Sequence, residues 1–152
     1  MNTMQMNRRQ ALMLGAAAFT FAGPALRQAG AAPEDAEKRL MEFTGGKAPE
    51  AGKISLTAPE IAENGNTVPL SVKVESPMTA ESHVAAVMII SEGNPSAEVI
   101  TFNFTPMSGA ASATTRIRLA KTQNVIAVAK MNDGSVFMDK KQVKVTIGGC
   151  GG

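Results

Sequence analysis

Thr67-Val68-Pro69-Leu70-Ser71-Val72-Lys73-Val74-Glu75 decides the fold class. Val68, Leu70, Val72 and Val74 alternate with Thr67, Pro69, Ser71, Lys73 and Glu75. A period of two sends every second side chain to one face, so the segment is a β-strand with one dry and one wet face. Pro69 has no N–H to give to a ladder, which predicts an edge strand or a bulge there. The pattern recurs on both sides. Lys53-Ile54-Ser55-Leu56-Thr57 is an earlier strand, and Glu63-Asn64-Gly65-Asn66 a turn. After the Gly93-Asn94-Pro95 turn, Glu98 to Phe104 places Ile100, Phe102 and Phe104 on one face. Thr115-Arg116-Ile117-Arg118-Leu119 alternates with both arginines outward, as a solvated face or an anion contact. Asn124 to Met131 is apolar, and Asn132-Asp133-Gly134 makes a hairpin turn into Ser135-Val136-Phe137. Lys141 to Ile147 turns Val143, Val145 and Ile147 inward. About seven or eight short strands at near-regular spacing predict an all-β chain, an immunoglobulin-like antiparallel β-sandwich.

Two segments depart from this alternation. Pro33 to Phe43 reads as a short N-terminal helix. Glu34 and Asp35 suit its positive end, Gly45-Gly46 stop it, and Leu40, Met41 and Phe43 pack it on the domain. Val84-Ala85-Ala86-Val87-Met88-Ile89-Ile90 is apolar on both faces. In a two-layer sandwich one face meets the core and the other needs a cover; a second subunit and the N-terminal helix both qualify. His83, at the start of this strand, reads as a strand-end residue rather than a ligand.

The chain has 152 residues, enough for one domain, with no repeat. It has no Trp or Tyr and 6 Phe, so the core must be aliphatic. A single histidine excludes a multi-His metal site, and a single cysteine excludes an intramolecular disulfide. The formal charge of +2 misleads, because Arg8, Arg9 and Arg27 lie in an N-terminal leader without acidic residues. Without those three, 12 basic residues face 13 acidic ones. Nucleic-acid binding thereby loses its electrostatic footprint.

Residues 1–31 read as an export signal. Arg8 and Arg9 stand directly before an apolar stretch running to Phe21, and Ala29-Gly30-Ala31 offers a cleavage site. The paired arginines point to the twin-arginine route and the bacterial periplasm; an ordinary secretory signal is the competing reading. The stretch is too short to span a bilayer, so the mature form is expected off the membrane. Residues 32–147 form the sandwich domain in this reading, and 148–152 a flexible C-terminal arm.

That arm is Gly148-Gly149-Cys150-Gly151-Gly152, and it holds the sole cysteine. Its neighbours have no side chains to bury it, and glycine permits wide backbone freedom. An exposed free thiol is a liability that needs a reason. A catalytic thiolate wants a fixed base, and nothing within the tail supplies one.

Val145-Thr146-Ile147-Gly148-Gly149-Cys150-Gly151-Gly152 resembles the C-terminus of SoxY, the sulfur-carrier subunit of the bacterial thiosulfate-oxidising Sox system. Ile61-Ala62-Glu63-Asn64-Gly65, Glu92-Gly93-Asn94-Pro95, Phe102-x-Phe104-x-Pro106, Thr115-Arg116-Ile117-Arg118-Leu119 and Asn132-Asp133-Gly134 also look like that family. The resemblance covers about the whole chain after the leader; its specific part is Gly-Gly-Cys-Gly-Gly. It implies a covalent carrier rather than an enzyme, without cofactor, in which Cys150 holds thiosulfate-derived sulfur. It implies a SoxZ subunit as partner, in a heterodimer or heterotetramer exported as a pair. It also implies a c-type haem complex that conjugates thiosulfate, a manganese hydrolase that releases sulfate, and in some organisms a molybdenum–haem sulfane dehydrogenase. On this reading Gly148, Gly149, Gly151 and Gly152 let the thiol thread narrow active sites. Two other classes stay open. Gly151-Gly152 would suit a ubiquitin-like thiocarboxylate carrier, whose ATP-dependent activation is cytoplasmic. A periplasmic adhesion or scaffold module would not need Cys150.

Overall fold

Strand β4 (Val68–Val74) buries Val68, Leu70, Val72 and Val74 and leaves Pro69 and Lys73 exposed, as its alternation requires. In this computed structural model, residues 33–149 are described. The stretch 1–31, read above as an export signal with Arg8 and Arg9, lies outside them, as do Cys150, Gly151 and Gly152. Helix α1 (Pro33–Thr44) comes first, then β1 (Glu50–Ala51), β2 (Ile54–Thr57), β3 (Ile61–Asn64) and β4. There follow β5 (Val84–Ser91), β6 (Glu98–Asn103), a 3-10 turn at Pro106–Ser108, β7 (Ala111–Ile117), β8 (Gln123–Met131) and β9 (Val136–Ile147). One sheet runs β1-β9-β8-β5-β6, with β3 also on β9; the other runs β2-β4-β7. Pairing is antiparallel except where β1 and β3 lie parallel along β9.

The core between the sheets is aliphatic, as the composition demands. Leu56, Val68, Leu70 and Val72 meet Val84, Val87, Ile89, Val125, Ala127 and Val143 across it. Along one side the layers are tied by the Leu56 N–H, which donates to Asp139 Oδ2 at 2.8 Å. On the other side β6 and β7 are both edge strands. Val99, Ile100 and Phe102 of β6 are only half-buried there.

The doubly apolar strand β5 is covered from within the chain. Val84, Val87 and Ile89 face the core; Met88 and Ile90 face α1, with Ile126 and Val128 of β8. The helix sets Ala36, Leu40 and Phe43 on that surface, positions three and four apart on one helical face. Met41 belongs to the opposite face and is 49% exposed, so it does not pack as expected. Gly45 and Gly46 close the helix with positive φ, and the Gly46 N–H donates to the Met41 carbonyl at 2.9 Å. With this face covered by α1, β5 is no longer a reason to expect a second subunit.

Three local expectations change. Residues 61–64, which adjoin and overlap the stretch read as a turn, form β3, in parallel register with β9 from Ile61↔Lys144 to Asn64↔Ile147. Only Gly65 and Asn66 turn. Pro69 sits in the central strand of its sheet, not an edge. It is tolerated because β2 pairs no further than Thr57↔Ser71, leaving Pro69 without a β2 neighbour. Ile147 keeps the parity of Val143 and Val145 but lies past the end of the core, and is 67% exposed.

The two helix-side residues give a direct contrast. Ile90→Ala removes a fully buried side chain under α1 and should cost about 2–5 kcal/mol. Met41→Ala should stay within about 0.5 kcal/mol. Urea unfolding of both variants measures the difference.

Candidate functional site

The site is built where β9 ends and the described chain approaches Cys150. Three backbone hydrogen bonds meet there. The Gly65 N–H donates to the Ile147 carbonyl at 2.8 Å, the Leu119 N–H to the Gly65 carbonyl at 2.8 Å, and the Gly149 N–H to the Leu119 carbonyl at 3.0 Å. Gly65 is thus wedged between the end of β9 and the loop after β7. Its φ is not in the left-handed region; glycine is required for space. A Cβ there would overlap the Leu119 carbonyl oxygen and lie 2.7 Å from the Gly149 nitrogen. A Cβ on Gly148 would overlap the Ala120 carbonyl oxygen, and one on Gly149 would lie 2.9 Å from the Gly65 oxygen.

These contacts revise where the arm begins. The chain was expected to leave the domain at Gly148. Instead Gly148 lies against Ala120, and Gly149 is buried and bonded to Leu119. The two glycines before Cys150 serve close packing against the domain itself.

The loop that receives them is held by a buried amide pair. Asn94 Nδ2 donates to the Arg118 carbonyl at 2.7 Å, and Asn94 Oδ1 accepts from the Ala120 N–H at 3.0 Å and from Gln123 Nε2 at 2.9 Å. Gln123 Oε1 accepts the Gly93 N–H at 2.7 Å. Both side chains are over nine-tenths buried, where a satisfied polar network fixes one geometry. Thr122 Oγ1 accepts the Val145 N–H at 2.9 Å, adding a further tie to β9. Beside this network, Lys140 Nζ lies 2.6 Å from Glu92 Oε1, and Asn124 Nδ2 donates to Glu92 Oε2 at 2.6 Å. Partial burial pushes the Glu92 carboxyl up, but the Lys140 and Asn124 contacts outweigh it and hold the group below its ordinary value.

Four stretches noted separately in the sequence, Ile61 to Gly65, Glu92 to Pro95, Thr115 to Leu119 and Val145 to Gly149, are therefore brought together at one end of the sandwich. Asn132-Asp133-Gly134 is not; it forms the β8–β9 hairpin turn. His83 precedes β5, with Nδ1 3.0 Å from the Thr79 carbonyl oxygen. Arg116 and Arg118 are exposed, as alternation predicts. Gly65, Asn94 and Gln123 were missed as site residues. Gly65 and Asn94 lie in stretches that carry the family resemblance but read locally as ordinary turns, and Gln123, the first residue of β8, gave no local signal.

Gly65→Ala should leave the sandwich folded but unseat the tail base. The expected cost is about 1–3 kcal/mol from overpacking. Amide hydrogen exchange at Leu119 and Gly149 should speed up by about tenfold or more, since each loses its bond. Unchanged exchange at both would mean that the contact is not holding the tail.

The family described as sulfur oxidation protein SoxY matches residues 40–150, from α1 to the cysteine. Among solved structures, the sulfur carrier protein SoxY from Chlorobium limicola f thiosulfatophilum is 30% identical, with 75% of this chain and 98% of that chain covered and a TM-score of 0.61. A superoxide reductase (neelaredoxin) from Ignicoccus hospitalis is 19% identical, with 80% of this chain and 98% of that chain covered and a TM-score of 0.56; this likeness shows the fold alone. Among the described residues, no three of His, Cys, Asp and Glu are grouped to hold a metal ion. No curated protein matches the chain closely enough to count as a relative. On the family match and the SoxY structure together, the chain belongs to the SoxY family of sulfur carrier proteins.

Proposed function

We propose that this protein carries thiosulfate-derived sulfur covalently on Cys150 and presents it to partner enzymes in the bacterial periplasm. The observation that carries the reading is the family match, which runs to residue 150, the chain's sole cysteine. The latched Gly149 supports it, because a residue fixed to the domain directly precedes the thiol. In loading, the Cys150 thiolate and the outer sulfur of thiosulfate form an S–S bond. The product is Cys–S–S–SO₃⁻, and an electron pair passes to a c-type haem partner. A manganese hydrolase then adds water to the sulfonate, sulfate leaves, and the outer sulfur stays as a persulfide. In organisms that have one, a molybdenum–haem dehydrogenase oxidises that sulfur further. A SoxZ subunit completes the carrier. The chain's own part is to hold the sulfur and position it.

Intact mass after incubation with thiosulfate and the haem complex tests the reading. The wild-type protein should gain one S₂O₃ group and Cys150→Ser none, with fold and partner binding unchanged. An adduct retained on Cys150→Ser would remove Cys150 and favour the terminal thiocarboxylate reading. Normal thiosulfate oxidation by cells carrying Cys150→Ser would favour the scaffold reading.

Export is tested separately. Arg8→Lys together with Arg9→Lys should strand the precursor in the cytoplasm. Normal periplasmic yield would rule out the twin-arginine route.

A further inference from the structure

We propose that Thr122 is a positioning residue for the carrier thiol: its hydroxyl clamps Val145 and so sets how far the tail can be drawn from the domain. The proposal rests on the reading of Cys150 as the attachment point. The ladder between β8 and β9 ends at the pair Gln123↔Val143. Val145 lies two residues past that pair, and there the Thr122 side chain takes the place of a strand neighbour. Thr122 Oγ1 accepts the Val145 N–H at 2.9 Å and donates to the Val145 carbonyl at 3.4 Å. One side chain thus meets both backbone groups of Val145, as a residue of a hydrogen-bonded ladder pair does. On the opposite edge Val145 is in register with Ala62 of β3, and the Lys144 N–H donates to the Glu60 carbonyl at 2.8 Å. The Val145 side chain is partly buried against the core. Val145 is therefore held from both edges and from below.

The holds after Val145 are lighter. Thr146, Ile147 and Gly148 are exposed; Ile147 is bonded through its carbonyl to Gly65, and Gly149 through its N–H to Leu119. The clamp, by contrast, stands on fixed backbone. The Ala120 N–H donates to Asn94 Oδ1 on one side of Thr122, and on the other Gln123 Nε2 donates to the Lys121 carbonyl at 3.1 Å. A partner enzyme that pulls on the thiol therefore frees Gly149, Gly148 and Ile147 before it meets a stop at Val145. Cys150 is five residues beyond Val145, which limits the span between their Cα atoms to roughly 16–18 Å. Without the clamp the next firm hold is Val143, which is fully buried. The thiol then gains up to roughly 7 Å of chain and loses its fixed starting point. Thr122 thus sets the reach at which the cargo is presented.

Thr122 is exposed, so Thr122→Val removes the hydroxyl without opening the core, and Thr122→Ser keeps it. Gly149→Val supplies the drawn state, since a Cβ there would lie 2.9 Å from the Gly65 oxygen. Amide hydrogen exchange in the mature full-length protein then reads where the tail stops. Lys144 is the reporter, because its N–H bonds to Glu60 and not to Thr122. In Gly149→Val alone, exchange at Gly65 should rise about tenfold while Lys144 stays within about twofold of wild type. Adding Thr122→Val should raise exchange at Lys144 about tenfold or more, and adding Thr122→Ser should not. Val125, fully buried in β8, corrects for any change in global stability. With thiosulfate and the haem complex, Thr122→Val should lower kcat for loading about threefold or more with KM within about twofold, and Thr122→Ser should recover it. Exchange at Lys144 that already rises in Gly149→Val alone, or that is equal with Val and Ser at position 122, overturns the stop. Equal kcat in Thr122→Val and Thr122→Ser overturns the positioning role. Failure of the attachment reading looks different: wild-type protein gains no S₂O₃ group, which ends the role of Thr122 in loading while exchange at Lys144 still follows the hydroxyl.

Discussion

The structure depends on the approach of Gly65 to the backbone of Leu119 and Ile147. Three chain segments, distant in sequence, exchange hydrogen bonds through this residue without room for a Cβ. Such bonds contribute about 0.5–1.5 kcal/mol each net of water. Their consequence here is geometric. They fix the end of β9 to the loop after β7, and so set where the chain leaves the domain. Asn94 and Gln123 make that loop rigid from below. A buried amide network costs more to break than its bonds suggest, because each orphaned group would remain dry. The tail therefore starts from a defined point.

The same domain solves its other problem with one helix. A strand as apolar as β5 needs both faces dry, and α1 covers the outer one with Ala36, Leu40 and Phe43. The two clusters lie on opposite faces of the larger sheet, and β5 and β8 contribute to both. Core, sheet and helix then hold each other, while the β6 and β7 edges stay open at one side. The closed side is tied by Asp139 and Leu56. Any contact made by the open side is thus made by half-buried apolar groups with arginines at their margin.

Period-two alternation made β2, β4, β7 and the paired arginines legible from the residues alone. Composition made the aliphatic core legible as well. What escaped shares one cause: it depends on partners far away in sequence. Ile61 to Asn64 is a strand because β9 lies beside it some 80 residues on, and nothing local separates it from a turn. Pro69 was judged by the rule for whole strands, whereas the length of β2 decides its tolerance. Ile147 has the right parity, but parity does not say where the core stops. Gly148 and Gly149 were read for their freedom. In the fold they are chosen for their size, a distinction visible only once Ala120 and Gly65 are in place.

That distinction changes the mechanics of carrying. A tail free from Gly148 would place the Cys150 Cα roughly 10 Å from the domain, at about 3.3–3.6 Å per residue. With Gly149 latched to Leu119, the same atom stands roughly 3.8 Å from the Gly149 Cα. Opening that one bond costs about 0.5–1.5 kcal/mol net and adds a residue of reach. Further release means lifting Gly148 from Ala120 and then separating Gly65 from Ile147. Each step lengthens the tail at the expense of a specific contact. On the proposed reading of Cys150, a partner enzyme with a shallow site needs little of this release, while one with a deep site must supply binding energy to draw the tail out. Bulk at Gly148 or Gly149 would then act first on the latch. Slower loading of such a variant would not by itself report the width of a partner's channel.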